Sequence, residues 1–318
     1  MARPLLLVDS ASLYFRAYFG IPESAARAPD GRPVNAVRGF LDMVATLIRT
    51  RRPDRVVCAL DEDWRPAWRV ELIPSYKTHR LAVAGGDLNP GGGFNAGADI
   101  EIVPDALEAQ VPIILDVLAA FGIATAGAAE YEADDVIGTL ATREPGPIEV
   151  ATGDRDLFQV VDDDRDVRVL YCGRGLAKLE VLDDAAIQAK YGVPAAGYAD
   201  FAAMRGDPSD GLPGVPGVGE KTASSLVARY GSLSAMVEAL DDPAAGFAPG
   251  LRTKLTAAAD YLKVAPTVVR VARDVALPPL DTTLPTVPKE PDKLIELAQT
   301  WGVAGAVRRL VDALAATD

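Results

Sequence analysis

Residues 5–9 read LLLVD, four apolar residues closed by an aspartate. The pattern returns twice. Arg55–Leu60 (RVVCAL) runs into Asp61, and Ile148–Ala151 (IEVA) runs through Thr152 and Gly153 into Asp154 and Asp156. Apolar runs of this length read as buried strands. Helical patterns lie between them: Val34, Val37, Phe40, Leu41, Val44 and Ile48 share one face of a helix predicted from Val34 to Ile48. Helices are also predicted at Ala106–Phe121 and Ala133–Thr142, and strands at Ile123–Thr125 and Val167–Tyr171. Strands alternating with helices make an α/β protein, a three-layer, mainly parallel sheet covered by helices. In such a sheet the cleft lies beyond the carboxyl ends of the strands. The aspartates fall there.

Outward from these runs the pattern changes. Residues 61–104 interrupt the alternation, and their middle, 81–99, holds six glycines and no Lys or Arg, the composition of a flexible loop. From Asp183 onward the reading is of short helices: Asp183–Tyr191, Gly197–Met204, Glu220–Tyr230, Ser232–Ala239 and one from Leu251 to about Leu262. A proline-spaced stretch, Pro278 to Pro291, precedes a final helix from Asp292, interrupted near Gly302.

The 318 residues carry a net charge of −13, unevenly spread. Residues 1–80 have 13 Lys/Arg against 9 Asp/Glu; the remainder has 19 against 36. The acidic total argues against indiscriminate binding of phosphate backbones, but the basic first quarter leaves nucleic acid open. Two cysteines, Cys58 and Cys172, make neither a disulfide framework nor a zinc site. No apolar stretch approaches the ~20 residues of a membrane helix, and the expectation is a cytoplasmic, nucleoid-associated protein.

Further acids gather in EYEADDVIG, with Glu132, Asp134 and Asp135, and in GDPSDGLPG, with Asp207 and Asp210. One aspartate after a strand is an ordinary turn former or helix cap. Five such clusters would repel one another if left bare. Hard divalent cations resolve that, and oxygen-only ligands select Mg²⁺ or Mn²⁺. Two ions about 4 Å apart clamp a phosphodiester, one activating water and one stabilising the leaving oxygen. Asp162, Asp163 and Asp164 form a surface charge run without a role. Residues 213–222, PGVPGVGEKT, place a glycine turn before a helix starting near Glu220, where backbone amides and Lys221 favour phosphate. This is the pattern of a helix-hairpin-helix that grips a nucleic-acid backbone without reading bases.

Together these segments, LLLVDSASLYFR at 5–16, VVCALDED at 56–63, EYEADDVIGTLA at 130–141, VATGDRDLFQVV at 150–161 and GDPSDGLPGVPGVGEKTA at 206–223, resemble the 5′-nuclease superfamily. The resemblance covers roughly residues 5–235 and implies a PIN-like 5′-nuclease fold. Residues 1–186 would form the nuclease domain with an arch or loop at 64–104, 187–262 a helix-three-turn-helix DNA-binding region, and 263–318 a segment packing back on the nuclease domain. It implies that Asp9, Asp61, Glu132 and Asp134 form a first metal cluster and Asp154, Asp156 and Asp210 a second. Asp135 and Asp207 would act directly or through water. Arg69 and Lys77 would hold the scissile phosphate, with Arg80 a third cation. Phe15 and Arg16 would contact the substrate near its bend. A K⁺ ion would bridge the hairpin at Gly217 and Gly219 to phosphate. The chain ends at Asp318 without a polymerase, as in a freestanding enzyme. The implied activity is divalent-metal-dependent cleavage of DNA at 5′ ends, nicks and 5′ flaps, including RNA-primed ones, by a monomer working beside a DNA polymerase or ligase.

Rival readings are weaker. His79 is the one histidine, so a Ser-His-Asp triad or multi-histidine metal site is excluded. Trp64 and Trp68 flank Arg65 and Arg69 and either stack on bases or pack under the loop. A non-catalytic DNA-binding protein would not need every carboxylate intact. A PIN-type ribonuclease is commonly much smaller and lacks the hairpin. A haloacid-dehalogenase-like phosphatase needs an acid at position 11, which is alanine.

Overall fold

In the computed structural model, residues 2–81 and 104–316 are described. The glycine-rich stretch predicted as a loop therefore lies, from residue 82, outside the described residues. The described chain forms one six-stranded sheet from β1 (Leu5–Asp9), β2 (Arg55–Ala59), β3 (Ala124–Ala126), β4 (Ile148–Thr152), β5 (Val167–Tyr171) and β6 (Glu180–Leu182). Their order is β3-β2-β1-β4-β5-β6, parallel throughout except for the antiparallel pair β5–β6. The chain runs outward from β1 through β2 to β3, then returns to place β4 on the other side of β1. The order reverses between β1 and β4, and ligands bind at such a point, beyond the carboxyl ends. The register pairs Val8 with both Cys58 and Ala151, so Asp9, Asp61 and Asp154 leave the sheet at the same end.

The helices are α1 (Ser10–Gly20), α2 (Asn35–Arg51), α3 (Ala67–Leu72), α4 (Asp105–Glu108), α5 (Val111–Phe121), α6 (Ala133–Arg143), α7 (Asp184–Tyr191), α8 (Tyr198–Arg205), α9 (Glu220–Tyr230), α10 (Leu233–Glu238), α11 (Pro249–Ala257), α12 (Ala259–Val269), α13 (Pro291–Thr300) and α14 (Ala304–Ala315). Strand side chains alternate between two cores, as a period of two requires. Leu5, Leu7, Val57, Val150 and Val169 face one layer, built from α6 and the helices α7–α12. Leu6, Val8, Val56, Cys58 and Leu170 face the other, built from α1, α2, α5, α13 and α14. These strand residues are fully buried, each Val or Leu contributing about 1.5–3 kcal/mol. Burial pushes the Cys58 thiol up to about 12 and that of Cys172 to about 11, as for inert packed thiols. No helix among the described residues is long and apolar enough to cross a membrane.

Several boundaries differ from expectation for local reasons. The helix predicted at Ala106–Phe121 is broken between Glu108 and Val111. Pro112 lacks an N–H and starts a new helix instead of continuing the old one. The freed Gln110 is fully buried, and its side-chain oxygen accepts from Ala36 N at 2.8 Å, capping α2 in place of Val34, which has no polar side chain. The helix predicted from Leu251 divides at Ala258 into α11 and α12. Helix α1, α3 and β6 add to the elements expected from the sequence. The C-terminal helix is interrupted at Gly302, where φ is +65°. Beyond α12 the chain crosses back, donating Leu284 N to Asp54 O, and sets α14 against α2 and α13 against α5.

Candidate metal centre

A cleft of about 940 Å³ opens at the carboxyl ends of β1, β2 and β4. Of the nine acids predicted as ligands, Asp9, Asp61, Glu132, Asp134, Asp154, Asp156 and Asp210 line it; Asp135 and Asp207 do not.

Local structure sets each one. Asp9 ends β1 and caps α1, accepting from Ser12 N at 3.1 Å, while Thr152 Oγ1 donates to its other oxygen at 2.6 Å. The turn after β4 is pinned to α1 by Gly153 N donating to Ser12 Oγ at 2.9 Å. A Cβ at Gly153 would stand 2.4 Å from Arg16 Nη2 and 2.9 Å from Ser12 Oγ, so a larger residue there would push the Arg16 guanidinium aside. Asp154 is exposed and accepts from Asp156 N. Asp61 accepts from Ala133 N at 2.7 Å, tying the end of β2 to the start of α6. Asp210 sits in the turn between α8 and α9, and its carbonyl accepts from Lys77 N.

The electrostatics follow from burial and crowding. Burial, with Asp61 and Asp154 nearby, pushes Asp9 up to about 7, against the bonds from Thr152 and Ser12 that favour its charge. Burial and then the charge of Asp154 hold both Asp134 and Asp156 well above the usual carboxylate range. Burial also raises Asp61, Glu132 and Asp210, although Lys77 pulls each of them down.

Protein cations already neutralise part of the cleft. Lys77 Nζ donates to Glu132 Oε2 at 2.6 Å and Tyr76 OH to Glu132 Oε1 at 2.8 Å. Arg80 Nη2 donates to Asp210 at 2.9 Å. Burial opposes the charge of Lys77, yet Glu132, Tyr76 and Asp210 outweigh it and hold the ammonium well above its ordinary range. With these partners in place, no three His, Cys, Asp or Glu among the described residues are grouped so as to hold one metal ion. The donor set is nonetheless all oxygen and partly unpaired, which fits a hard divalent cation.

Asp135 and Asp207, expected to act directly or through water, stand outside the cleft lining with protein donors on their oxygens. Asp135 is fully buried and its oxygens accept from Arg69 Nη1 and Nη2, both at 2.7 Å, Ala272 N at 2.7 Å and Glu132 N at 3.1 Å. Four donors occupy the lone pairs an ion would need. Asp207 caps its own turn, accepting from Ser209 N at 2.9 Å and Arg205 Nη2 at 3.3 Å. Arg69 is expected to hold the scissile phosphate. It lines the cleft, but it is 3% exposed, and Nε donates to Val268 O at 3.0 Å while both Nη atoms serve Asp135.

Phe15 and Arg16 line the cleft from α1, and Arg16 Nη1 donates to Gly173 O. Gly217, Gly219 and Lys221 do not line it. Gly217 and Gly219 lie in the turn between α8 and α9 and Lys221 in the first turn of α9; Gly217 has φ +74° and its carbonyl accepts from Lys254 Nζ at 3.4 Å. Trp68 lies against Arg69 and Tyr131, with Nε1 donating to Glu130 O, and His79 is an exposed residue of the rim. Tyr76, Phe19, Glu62, Glu108, Ser12 and Tyr14 also line the cleft without having been singled out by the sequence. Tyr76 had a signal, since it precedes Lys77; Glu108, at the end of α4, had none.

The family profile described as the 5′-3′ exonuclease N-terminal resolvase-like domain matches residues 4–192, and that of the 5′-3′ exonuclease C-terminal SAM fold matches 193–292. The chain belongs to the 5′-3′ exonuclease family. It is 56% identical to the 5′-3′ exonuclease of Streptomyces coelicolor, covering 98% of this chain and all of that protein. It is 54% identical to the 5′-3′ exonuclease of Mycobacterium tuberculosis, covering 99% and 98%. DNA polymerase I of Mycobacterium bovis is 36% identical over 99% of this chain, a match spanning 32% of the polymerase. Among solved structures, the T5 5′-exonuclease with bound zinc superposes with a TM-score of 0.61 at 15% identity, covering 99% of both chains. Human GEN1 with Holliday junction DNA gives 0.63 at 14%, covering 98% of this chain and 72% of that one. These two establish the fold. As a 5′-3′ exonuclease the protein is a phosphodiester hydrolase, and the fold is the PIN-like 5′-nuclease fold expected from sequence.

Proposed function

We propose that this 5′-3′ exonuclease hydrolyses DNA at or near 5′ ends, nicks and 5′ flaps, RNA-primed ones included, with two or more Mg²⁺ or Mn²⁺ ions in the carboxylate cleft. The observation that carries it is the crowd of Asp9, Asp134 and Asp156, held above the usual carboxylate range at the point where the strand order reverses. Asp9, Asp61, Glu132 and Asp134 would hold one ion and Asp154, Asp156 and Asp210 another. Bound there, divalent cations supply a nucleophile from water at neutral pH and neutralise charge on the phosphate. Lys77 and Arg80, already drawn to the carboxylates, turn to the phosphate when cations replace them. Phe15 and Arg16 stack on and steady the strand, and the turn at Gly217 and Gly219 with Lys221 of α9, together with K⁺, grips duplex backbone outside the cleft. The T5 enzyme has been captured with DNA and metal ions and Rad2 with DNA substrate, which supports the same use here. The setting would be replication and repair in the nucleoid, as a monomer, beside a DNA polymerase or ligase.

The test uses flap, nicked and single-stranded substrates labelled at either end, with Mg²⁺ or Mn²⁺. Short products released from the 5′ side are expected, and their absence with both metals would sink the reading. Asp154→Asn should bind the flap duplex as the parent does and lose most cleavage.

A further inference from the structure

We infer that Arg69 and Asp135 act together as a positioning clamp for the carboxylates at the start of α6, and that neither touches the metal nor the phosphate. This rests on the nuclease reading of the cleft. The pair is bidentate, with both N···O distances 2.7 Å, and its members are 3% and 0% exposed. It joins three separate segments. Arg69 comes from α3 and donates through Nε to Val268 O in α12. Asp135 comes from α6 and accepts from Ala272 N just beyond α12. Asp135 also accepts from Glu132 N, closing a reciprocal cap with the Glu132 side chain.

The consequence is geometric. Glu132 and Asp134 lie on either side of the helix start that the clamp fixes. Arg69 Nη1 also stands 3.5 Å from Glu132 Oε1, so the guanidinium limits where that carboxylate goes. The stacked Trp68 ring, 4.3 Å from the guanidinium carbon, closes the remaining side. Burial opposes the charge of Arg69, but Glu132 and Asp135 outweigh it and hold it above the ordinary arginine range. Moving Arg69 to a phosphate would break three hydrogen bonds and leave Asp135 buried without its partner.

The test compares the parent with Arg69→Gln/Asp135→Asn, which removes both charges so that no unpaired charge is buried, and with Arg69→Lys, which keeps the charge but not the fork. Three readouts are measured: Mn²⁺ binding without DNA by calorimetry, the salt dependence of flap-duplex affinity, and kcat against KM. A positioning role predicts unchanged Mn²⁺ stoichiometry and Mn²⁺ affinity about tenfold weaker in the double variant. Affinity for Arg69→Lys should be intermediate, the salt slope unchanged, and kcat lowered at constant KM. A salt slope smaller by about one would make Arg69 a phosphate contact. Loss of one Mn²⁺ equivalent would make Asp135 a ligand, and unchanged Mn²⁺ affinity would remove the clamp's role. If the double variant does not fold, Arg69→Lys decides by the same affinity and kcat readouts. A parent that binds no Mn²⁺ and cleaves nothing would instead overturn the metal-nuclease reading.

Discussion

The two sides of the cleft are charged alike by sequence and differ in what neutralises them. On the side of Asp9, Asp134, Asp154 and Asp156, no Lys or Arg among the described residues forms an ion pair with any of the four, and the first, second and fourth are pushed toward the neutral acid. On the side of Glu132 and Asp210, each acid has a cation, Lys77 and Arg80, and Asp135, buried outside the cleft lining, has Arg69. Those cations all come from residues 69–80, the segment leading into the interrupted region of the sequence. The comparison teaches that the chain carries its own counter-ions for Glu132 and Asp210 and leaves Asp9, Asp134, Asp154 and Asp156 for cations from outside.

The largest expected effect is on the uncompensated side. Asp134→Asn should lower Mg²⁺-dependent flap cleavage on the order of 10²–10³-fold, the scale of losing one group that stabilises developing charge. It should also raise the melting temperature of the metal-free protein at pH 8, because a charge leaves a self-repelling group. A lower melting temperature would break the comparison. On the compensated side the sign reverses. Lys77→Met strands the buried carboxylate of Glu132 with Tyr76 and Arg69 alone and should cost about 3 kcal/mol in urea unfolding. Lys77→Met should also slow cleavage at saturating metal.

A smaller effect comes from pH. Asp9 has its folded value raised from 3.8 to about 7, so the folded state binds more protons than the unfolded between those values. Stability of the metal-free protein is then greatest at the low end of that window and falls as pH rises through it. Melting scans should show a decline of a few degrees from pH 5 to 8, and Mg²⁺ should raise the melting temperature more at pH 8 than at pH 5. A flat profile would mean the carboxylates are not crowded in solution. The smallest effect is that of Arg80→Ala. Its ion pair with Asp210 is partly exposed, so stability should change by less than about 1 kcal/mol. The salt slope of flap binding should fall by about one if Arg80 turns to phosphate.

Much of this was legible because strands announce themselves locally. LLLVD, RVVCAL and IEVA give the three central strands within a residue or two, and the aspartates that follow mark the end of the sheet where the cleft lies. The failures have physical causes. Helix α1 was missed because its buried residues, Leu13, Tyr14 and Ala17 among them, are interleaved with Phe15 and Phe19, apolar residues that face the cleft. The break between α4 and α5 depends on Gln110 finding the open end of α2, a partner 74 residues away. Asp134 and Asp135 are adjacent acids at a helix start, and nothing local tells them apart. Helical geometry turns one into the cleft and the other toward Arg69 and the end of α12.

By itself the sequence determined the α/β architecture, the placement of acids beyond the strands and the resemblance that led to the family. Those follow from hydrophobic periodicity and from residue types at short spacing. The tertiary structure decided which acids are available to an ion and which are already bound. That choice depends on desolvation and on partners brought from far along the chain: Lys77 onto Glu132, Arg69 onto Asp135, and the Ala272 amide closing the set. A carboxylate's role here is set by the donors that surround it, and those are assembled only by the fold.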